Sequence, residues 1–563
     1  MRKMFICGAL LCTSTLPAFA APPDAGQLLR EQQPQRQLPQ QLPKPEVEKE
    51  RPTLADTGVR IDVKGFRFSG YAGLIPEDEL QSVVADSIGK QLSFSELQGV
   101  AASVTALLKE NGWFLARAYL PKQDVTSGII EIIIIQGKSD GSLTIKRSPT
   151  ARISEETLQG IGETAVLPGQ PLNEKQLERS VLLMNDLPGV NARASLAAGA
   201  TPGSTGVQID VNEDPLLGGA VWGDNQGNRY TGAWRGNGMV NVNDPFRYGD
   251  QLSLLMIDSE GLTEGRAAYF FPLTSGGLKG NLSYTGMRYE LIKDLASLNA
   301  EGKSHTANAG ISYPLLRTRT TNVTTALNYE FNNLTDSSNN VDIRETNLNS
   351  GTFSVSGDRY DTLLGGGYTS WKTGATTGNM QESIADIAIT KTEGGFTSFN
   401  LGVSRLQRLA ERSSINLSWS SQLSLDNLDS SEKFNLGGPY GVRAYPVGEA
   451  SGDEGHLFNI DLRYDLPVPE TIGAIQLNGF YDAGYITLHK HLWDNAVATA
   501  TNENSYWLQG AGVGLNYSYS NRVSLRGIWA HVIGDNPGRS AGGNDADGRS
   551  DENRFWLQCL MYF

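Results

Sequence analysis

Few side chains in this 563-residue sequence are spaced for catalysis or metal binding. The five histidines are scattered, and the pair in His489-Lys490-His491 would share one face of a strand, which is typical of a solvated loop end. Asp545-Ala546-Asp547-Gly548 has the start of a calcium-loop pattern but no glutamate at the twelfth position, which indicates an acidic external loop. The sequence has no Gly-x-Ser-x-Gly nucleophile motif and no phosphate-binding loop. It therefore predicts neither an enzyme nor a metal or cofactor site.

The N-terminal residues predict export. Two basic residues precede an apolar run too short to span a bilayer, and Ala18-Phe19-Ala20 offers a small-x-small cleavage site. We expect residues 1–20 to be a signal peptide. Lipoprotein processing at Cys12 is the alternative, but the small residue expected before such a cysteine is missing. Cleavage would leave Cys559 as the one remaining cysteine, so no intramolecular disulfide is expected.

Charge and composition narrow the class of protein. After cleavage, 45 Lys and Arg stand against 61 Asp and Glu, a formal charge of −16, which argues against nucleic-acid binding. A low mean hydropathy with 63 glycines and 20 tyrosines fits a transmembrane barrel, whose apolar residues are diluted by a polar lumen. A soluble all-β periplasmic protein could have the same composition, so composition leaves both classes open.

The region after the signal peptide divides into a short helix and a linker. Within residues 21–33, apolar spacing predicts a helix with Asp24 as its N-cap, and disorder is the alternative. Residues 34–58 are rich in Pro, Gln and charge, which is typical of a semi-extended linker.

Two α+β units follow the linker. Residues 59–137 read as β-α-α-β-β, beginning with a strand at 59–63. Residues 138–213 repeat that order, with Ser154 and Asn173 as helix N-caps. Two such modules in tandem are an internal repeat of architecture.

Residues 214–563 lose helical periodicity and alternate like strands. In Phe458 to Leu466, apolar side chains interleave with amide and charged ones. A soluble sandwich and a membrane barrel produce the same alternation. The segment from Phe555 to Phe563 favours the barrel, because it alternates up to the last residue and a closed barrel pairs its final strand with its first. We therefore expect a transmembrane antiparallel β-barrel.

Taken together, these regions resemble the two-partner secretion transporters, the TpsB branch (ShlB/FhaC/HecB-like) of the Omp85 superfamily. The resemblance covers nearly all of the chain and includes the stretches at 171–189, 224–232 and 249–252. Two motifs are more specific. The stretch from Leu436 to Tyr445 resembles the tip of the family's long sixth extracellular loop, and Phe480-Tyr481-Asp482-Ala483-Gly484 is similar to its Phe-x-Asp-x-Gly strand motif.

The resemblance implies a plug helix at 21–33, POTRA domains at 59–137 and 138–213, and a sixteen-stranded barrel at 214–563. It also implies that Arg443, at the loop tip, pairs with Asp482 on the inner barrel wall. A guanidinium and a carboxylate can form such an anchor with bidentate geometry.

The neighbours of the two charged residues complete the implied site. Phe480 and Gly484 would share the face of Asp482, and Gly484 would let the loop approach closely. Val442, Ala444 and Tyr445 complete the tip motif. Ala444 departs from the family's Val-Arg-Gly-Tyr, so the loop backbone there is expected to need no positive φ or to adopt a slightly different tip.

The implied function is secretion across the outer membrane, with the POTRA domains in the periplasm. An unfolded partner exoprotein (a TpsA-type haemolysin, adhesin or toxin) would be captured by strand addition and exported through the lumen. Outer-membrane lipids and the barrel-assembly machinery are further expected partners, with no nucleic acid, no cofactor and a monomeric state. The alternatives are an Omp85-type assembly factor, a passive porin and a soluble periplasmic binding protein.

Overall fold

The computed structural model describes most of the chain outside its N-terminal region. The signal peptide predicted at residues 1–20 and the linker predicted at 34–58 lie outside the described residues. The described ranges are 22–33, 60–199, 204–382, 390–469, 471–497, 499–520 and 522–563. None of the helices in these ranges is long and apolar enough to cross a membrane.

A short helix, α1, spans Ala25–Glu31. The carboxylate of Asp24 accepts a hydrogen bond of 2.8 Å from the backbone N–H of Gln27, so Asp24 is its N-cap. The helix carries an apolar side made of Ala25, Leu28 and Leu29, all buried. Seven residues are too few for a stable isolated helix, so its conformation depends on what that side packs against.

The first α+β unit packs two helices on a three-stranded sheet whose central strand, Ile129–Ile135, is parallel to Gly65–Ser69 and antiparallel to Arg117–Tyr119. The strand expected at 59–63 is shorter in the structure and does not belong to this sheet. Arg60–Asp62 pairs with the short strand Gln91–Ser93, and the sheet strand Gly65–Ser69 follows it. Ser93 and Glu96 form a capping box that begins α3. The elements are β1 (Arg60–Asp62), β2 (Gly65–Ser69), α2 (Glu77–Val84), β3 (Gln91–Ser93), α3 (Phe94–Glu110), β4 (Arg117–Tyr119) and β5 (Ile129–Ile135).

The second unit repeats this architecture. Its sheet has the order β6–β8–β7, with β6 parallel and β7 antiparallel to β8. Ser154 and Asn173 cap its two helices through their side-chain oxygens. The elements are β6 (Ser139–Arg147), α4 (Glu155–Gly162), α5 (Glu174–Asn185), β7 (Val190–Ala198) and β8 (Thr205–Glu213).

In the described part of the chain, sixteen antiparallel strands close a barrel, which confirms the predicted fold class. Closure occurs where β26 pairs with β9, and Phe563 and Gly219 exchange two backbone hydrogen bonds of 3.1 Å beside that seam. The strands are β9 (Leu217–Asp224), β10 (Arg235–Asn243), β11 (Gln251–Ser259), β12 (Leu262–Pro272), β13 (Lys279–Glu290), β14 (Ala300–Arg317), β15 (Thr321–Ser338), β16 (Val341–Asp361), β17 (Gly367–Glu382), β18 (Gly394–Ala410), β19 (Ser413–Ser424), β22 (Glu454–Asp465), β23 (Ala474–Thr487), β24 (Ser505–Tyr519), β25 (Val523–Val532) and β26 (Asn553–Tyr562).

The segment between β19 and β22, residues 425–453, is called here the long loop. A two-stranded ladder joins β20 (Phe434–Asn435) to β21 (Ser451–Gly452) near its base. Because β20 and β21 pair with each other and not with the barrel wall, the loop leaves the wall as a separate substructure.

The second α+β unit contacts one end of the barrel through α5. Arg317, beside the turn after β14, makes a bidentate contact with Asp186 at 2.7 and 2.9 Å. Lys279 donates to the Asp186 carbonyl at 2.7 Å, and Arg179 donates to the Pro314 carbonyl at 2.8 Å. These contacts distinguish the domain end of the barrel from the loop end, where the long loop begins and ends.

The alternation of the barrel strands exposes apolar side chains on the outside. On β15, Leu327 and Tyr329 are 52% and 54% exposed, whereas Asn332 and Asp336 on the other face are buried. A soluble sandwich would bury the apolar face instead. The exposed apolar face of these strands is therefore the lipid-facing surface of a membrane barrel.

Candidate functional site

The long loop turns back into the barrel and buries its tip. Val442, Arg443, Ala444 and Tyr445 are almost completely inaccessible to solvent. The tip is a tight turn, because the N–H of Val442 donates to the Leu436 carbonyl at 2.6 Å and the N–H of Tyr445 donates to the Val442 carbonyl at 3.0 Å. A compact tip of this kind can carry one side chain to a defined point on the wall.

That side chain is Arg443, which contacts Asp482 of β23. Its Nε donates to Asp482 Oδ2 at 2.8 Å, its Nη2 donates to Oδ1 at 2.6 Å, and its backbone N–H donates to Oδ2 at 3.0 Å. Both residues are buried, so the charges are shielded from water. The structure thus brings the two charged residues of the sequence motifs together in a bidentate pair.

Three contacts around this pair were not anticipated from the sequence. Asp461 of β22 accepts from Arg443 Nη1 at 2.8 Å, and Asn459 donates to Asp482 Oδ1 at 2.8 Å. Trp556 of β26 donates through Nε1 to the Arg443 carbonyl at 2.8 Å. Asn459 and Asp461 lie on the polar face of an alternating strand, and this pattern identifies both as inward-facing residues that could contact the anchor. Only the register, which sets Asn459 opposite Asp482, shows that they reach the anchor.

Phe480 and Gly484 share the inner face with Asp482. The guanidinium carbon of Arg443 lies 3.5 Å from the centroid of the Phe480 ring, a cation–π contact. A methyl group at Gly484 would lie 2.6 Å from Leu436 Cδ2 of the long loop. The strand motif therefore supplies a charge partner, a ring surface and an opening for the loop.

Ala444, where the family pattern has glycine, has a negative φ and needs no left-handed backbone. Its methyl group packs against Gly510 of β24, and a methyl group at Gly510 would lie 2.5 Å from Ala444 Cβ. The space for the extra methyl of Ala444 is thus supplied by Gly510 on the wall strand β24, beside Asp482, and not by the loop.

Helix α1 lies inside the barrel near its loop end. Ala25 and Leu28 pack with Met287, Tyr289 and Leu334, which belong to inner faces of β13 and β15. The N–H of Ala25 and the hydroxyl of Tyr289 both donate to Asp336 Oδ1, at 2.9 and 2.6 Å. The barrel wall therefore covers the apolar side of α1 and binds its N-terminal end.

Arg344, at the start of β16, joins α1 to the long loop. Its guanidinium contacts Asp24 at 2.7 Å, contacts Asp429 of the long loop, and lies 3.5 Å from Asp336 and 4.0 Å from Glu382. One cation is thus shared by four carboxylates, which come from α1, the long loop, β15 and β17. Removing the helix would remove one of these carboxylates from a partly buried cation.

The C-terminal end of α1 contacts both the loop and the barrel. Glu31 accepts hydrogen bonds from Gln27 at 2.9 Å and from Asn228 at 3.3 Å. Burial raises the pKa of Glu31 to about 7, against the lowering effect of these two hydrogen bonds. A methyl group at Gly448 of the long loop would lie 2.6 Å from Gln27 Nε2, so the loop backbone and the helix are in close contact.

The acidic motif at 545–548 takes a structural position. Asp545 and Asp547 lie in the connection between β25 and β26, and both are buried, with Arg554 at 3.3 Å from Asp545 and 2.5 Å from Asp547. Glu449 of the long loop accepts from the N–H of Ala546 at 2.6 Å, which ties the loop base to the same segment. Burial raises the pKa of Glu449 to about 7. Within the described ranges, no group of three or more His, Cys, Asp or Glu side chains could hold a metal ion.

Comparison with known proteins gives matches over most of the chain. Residues 203–517 match the family described as haemolysin secretion/activation protein ShlB/FhaC/HecB, and residues 61–137 match the POTRA domain, ShlB-type. The heme/hemopexin transporter protein HuxB of Haemophilus influenzae (strain 86-028NP) is 28% identical over 495 residues, covering 86% of this chain and 84% of that protein.

A second relative, the outer membrane transporter CdiB of Dickeya dadantii (strain 3937), is 23% identical over 497 residues, covering 83% of this chain and 85% of that protein. Among solved structures, CdiB from Escherichia coli superposes with a TM-score of 0.74 at 19% identity, covering 92% of this chain and 93% of that one. CdiB from Acinetobacter baumannii gives a TM-score of 0.65 at 17% identity, with 94% and 95% covered. These two structures share the fold.

We predict that Gly510→Ala prevents the loop tip from seating and that Ala444→Gly restores it. The added methyl collides with Ala444 Cβ, whereas the double variant has the same number of methyl groups at the contact as the native pair. Protease cleavage within the long loop of the purified, folded barrel measures seating. Gly510→Ala should be cut faster and the double variant at the native rate. Equal cleavage of all three would contradict the size match.

We also predict that Gly26→Ala displaces α1 from the barrel. A methyl group at Gly26 would lie 2.8 Å from the backbone nitrogen of Ser431, although alanine favours the helix itself. Single-channel conductance in planar bilayers should rise toward that of a variant lacking residues 22–33. The matched control is Gln33→Ala, an exposed position just after the helix. A native conductance for Gly26→Ala would show that α1 does not occupy the pore.

Proposed function

This chain belongs to the ShlB/FhaC/HecB family of haemolysin secretion/activation proteins, and from this premise we propose how its parts work. It is an outer-membrane transporter of the two-partner secretion class, which exports a partner exoprotein through its barrel. Its POTRA domains lie in the periplasm, so the domain end of the barrel is periplasmic and the loop end is extracellular. Two relatives have different names, heme/hemopexin transporter protein HuxB and outer membrane transporter CdiB. The names of the relatives therefore do not identify the partner of this chain.

The partner is a large exoprotein, a haemolysin, adhesin or toxin encoded beside this chain. The test is co-expression with the neighbouring gene. Its product should reach the medium only when this chain is present. If the product stays in the cell while other outer-membrane barrels decline without this chain, the protein is an Omp85-type assembly factor instead.

Capture occurs at the second POTRA domain, in a groove of about 580 Å³ between α5 and the edge strand β7. Among the described strands, β7 pairs on one side only, with β8. An unpaired strand edge beside an apolar groove suits strand addition, because backbone hydrogen bonds give affinity and the groove accepts alternate side chains. Leu177 and Leu196 supply apolar lining, and Arg319 of the barrel rim lines the same groove. This proximity supports transfer from the groove directly to the pore.

After capture, the chain passes through the lumen and folds outside, and folding supplies the direction of transport. Helix α1 acts as a plug that must leave the pore first. Its links to the long loop through Asp429 and Gly448 support coupling between the two elements. The buried pair of Arg443 and Asp482 holds the loop in the arrangement that conducts.

We predict that Leu196→Asp lowers export about tenfold, because a charge in the groove disfavours an apolar guest by about 1.4 kcal/mol. Leu196 is 45% exposed, so the domain should still fold. Leu167→Asp is the control, since Leu167 is 53% exposed in the same domain and does not line the groove. Binding of the purified partner in its unfolded state should fall in parallel. Equal effects of the two substitutions would argue against capture at this edge.

We predict that Arg443→Ala abolishes export and leaves insertion of the barrel largely intact. The variant leaves Asp461 and Asp482 buried without their cation, a loss of about 3–5 kcal/mol at the loop contact. Arg443→Lys keeps the positive charge but loses the planar guanidinium that donates two parallel hydrogen bonds to Asp482. This variant should therefore export more partner than Arg443→Ala but less than the native chain. The readouts are partner in the medium and folded barrel in the outer-membrane fraction.

The control for this experiment is Arg405→Ala, which removes an ion pair with Asp361 of 2.8 Å on the outer surface of the barrel. Export should be native in that variant. Undiminished export by Arg443→Ala would refute the anchoring role, whereas loss of folded barrel would make the pair a determinant of assembly.

A further inference from the structure

Two cations lie side by side on the outer wall of the barrel, and no described carboxylate is in contact with either. Arg288 of β13 and Lys303 of β14 are directly opposite in the antiparallel register, and both side chains are exposed. Neither makes an ion pair or a side-chain hydrogen bond with any described residue. Like charges directly opposite each other destabilise a strand pair. The arrangement becomes favourable when an anion binds between them.

Register shows that these side chains point away from the lumen. The inward neighbours of Arg288 are Met287 and Tyr289, which pack in the cluster around α1. Alternation therefore places Arg288 on the outer face, together with Tyr284, which is 53% exposed. Lys303 shares that face because it is the direct partner of Arg288.

The position of the pair along the membrane normal follows from the rows of side chains closer to the membrane centre. A row of residues directly opposite one another on neighbouring strands is called here a rung. Tyr284, Ala307 and Phe331 form the last apolar rung of the outer face on these strands. The next rung carries His305 and Asn333. The Tyr284 hydroxyl lies 2.7 Å from His305 Nδ1, and tyrosine is a residue enriched at the membrane interface.

Arg288 is four residues beyond Tyr284, about 14 Å along the strand and about 10 Å along the membrane normal for a tilted strand. The pair therefore lies on the extracellular side of the hydrocarbon, at a height where its long side chains can reach the lipid headgroups.

The polar groups nearby leave the pair available to an anion. Thr335 is the partner of Lys303 on the other side, and Thr263 is the partner of Arg288. Glu290 and Glu301 lie one rung further out, opposite each other. No carboxylate among the described residues comes within 4.0 Å of either cation. Asp258 of β11 and Glu345 of β16 belong to the same outer-face row and lie two strands away on either side, about 10 Å between backbones. Arg288 and Lys303 are thus the central pair of this row, and their nearest charged neighbour in it is each other.

We propose that Arg288 and Lys303 bind a phosphate group of lipid A, the phosphorylated glycolipid of the outer leaflet. Arginine can hold two phosphate oxygens with its planar fork, and lysine adds a mobile point charge. The acyl chains of the same lipid would lie on the apolar rung formed by Tyr284, Ala307 and Phe331. This site lies on the outside of the barrel, so it is independent of the export mechanism proposed above.

The test is native mass spectrometry of the full-length folded chain in detergent with added diphosphorylated lipid A. The double variant Arg288→Gln/Lys303→Gln should retain about tenfold less lipid than the native chain. The exchange Arg288→Lys/Lys303→Arg keeps both charges and should retain it. Arg359→Gln is the matched control, because Arg359 is an exposed cation of the outer face near the domain end. Heat-dependent gel mobility confirms that each variant is folded, and Arg288→Gln alone replaces the double variant if that does not fold.

Two further arms identify the ligand. Lipid A without its phosphates should bind the native chain as weakly as diphosphorylated lipid A binds the glutamine variant. Inorganic phosphate at the lipid's concentration should not displace the lipid. The proposal is overturned if the glutamine variant retains native amounts of lipid, if dephosphorylated lipid binds equally well, or if inorganic phosphate alone competes for the pair.

Discussion

A guanidinium can be buried inside a protein only where carboxylates and hydrogen-bond acceptors meet it, and Arg443 satisfies this condition at one point of the barrel. Asp482, Asp461, the Phe480 ring and the indole of Trp556 come from three different strands to contact this residue and its carbonyl. Any displacement of the loop tip would separate several of these contacts at once. The position of the long loop, and of everything that rests on it, follows from this requirement.

Helix α1 is the first element that rests on the loop. Its N-cap Asp24 shares Arg344 with Asp429 of the loop, and its side chains touch the backbone at Gly448. The helix is too short to be stable alone, so it exists as a helix because the barrel and the loop bury it. Loop and helix therefore form one assembly inside the barrel, and a change in one must alter the surroundings of the other.

The two ends of the barrel are built for different contacts. At the periplasmic end, Asp186 joins α5 of the second POTRA domain to the rim through Arg317. Since α5 also forms one wall of the groove beside β7, the groove and the pore entrance are held in a fixed relation. At the extracellular end, the outer face changes from apolar to polar within one rung, and the adjacent cations Arg288 and Lys303 lie on the next rung.

Local patterns in the amino-acid sequence are sufficient to predict the type and order of the helices and strands. Helices α4 and α5, with N-caps at Ser154 and Asn173, and the alternating strands of the barrel follow from local periodicity and capping, which act over a few residues. The charged residues of the anchor, Arg443 and Asp482, were also identified in advance, because their motifs resemble those of a known family. The tertiary structure decided what local patterns cannot encode.

Alternation with a period of two assigns each residue to a face but leaves the register between strands open, and barrel closure sets all the registers together. The roles of Asp461 and Trp556 at the anchor, the contact of Gly510 with Ala444, and the pairing of Arg288 with Lys303 all depend on that register. The buried position of Asp545 depends in the same way on Arg554, which reaches it from the last strand. These contacts exist because closing the barrel brings together segments whose separation in sequence carries no local signal.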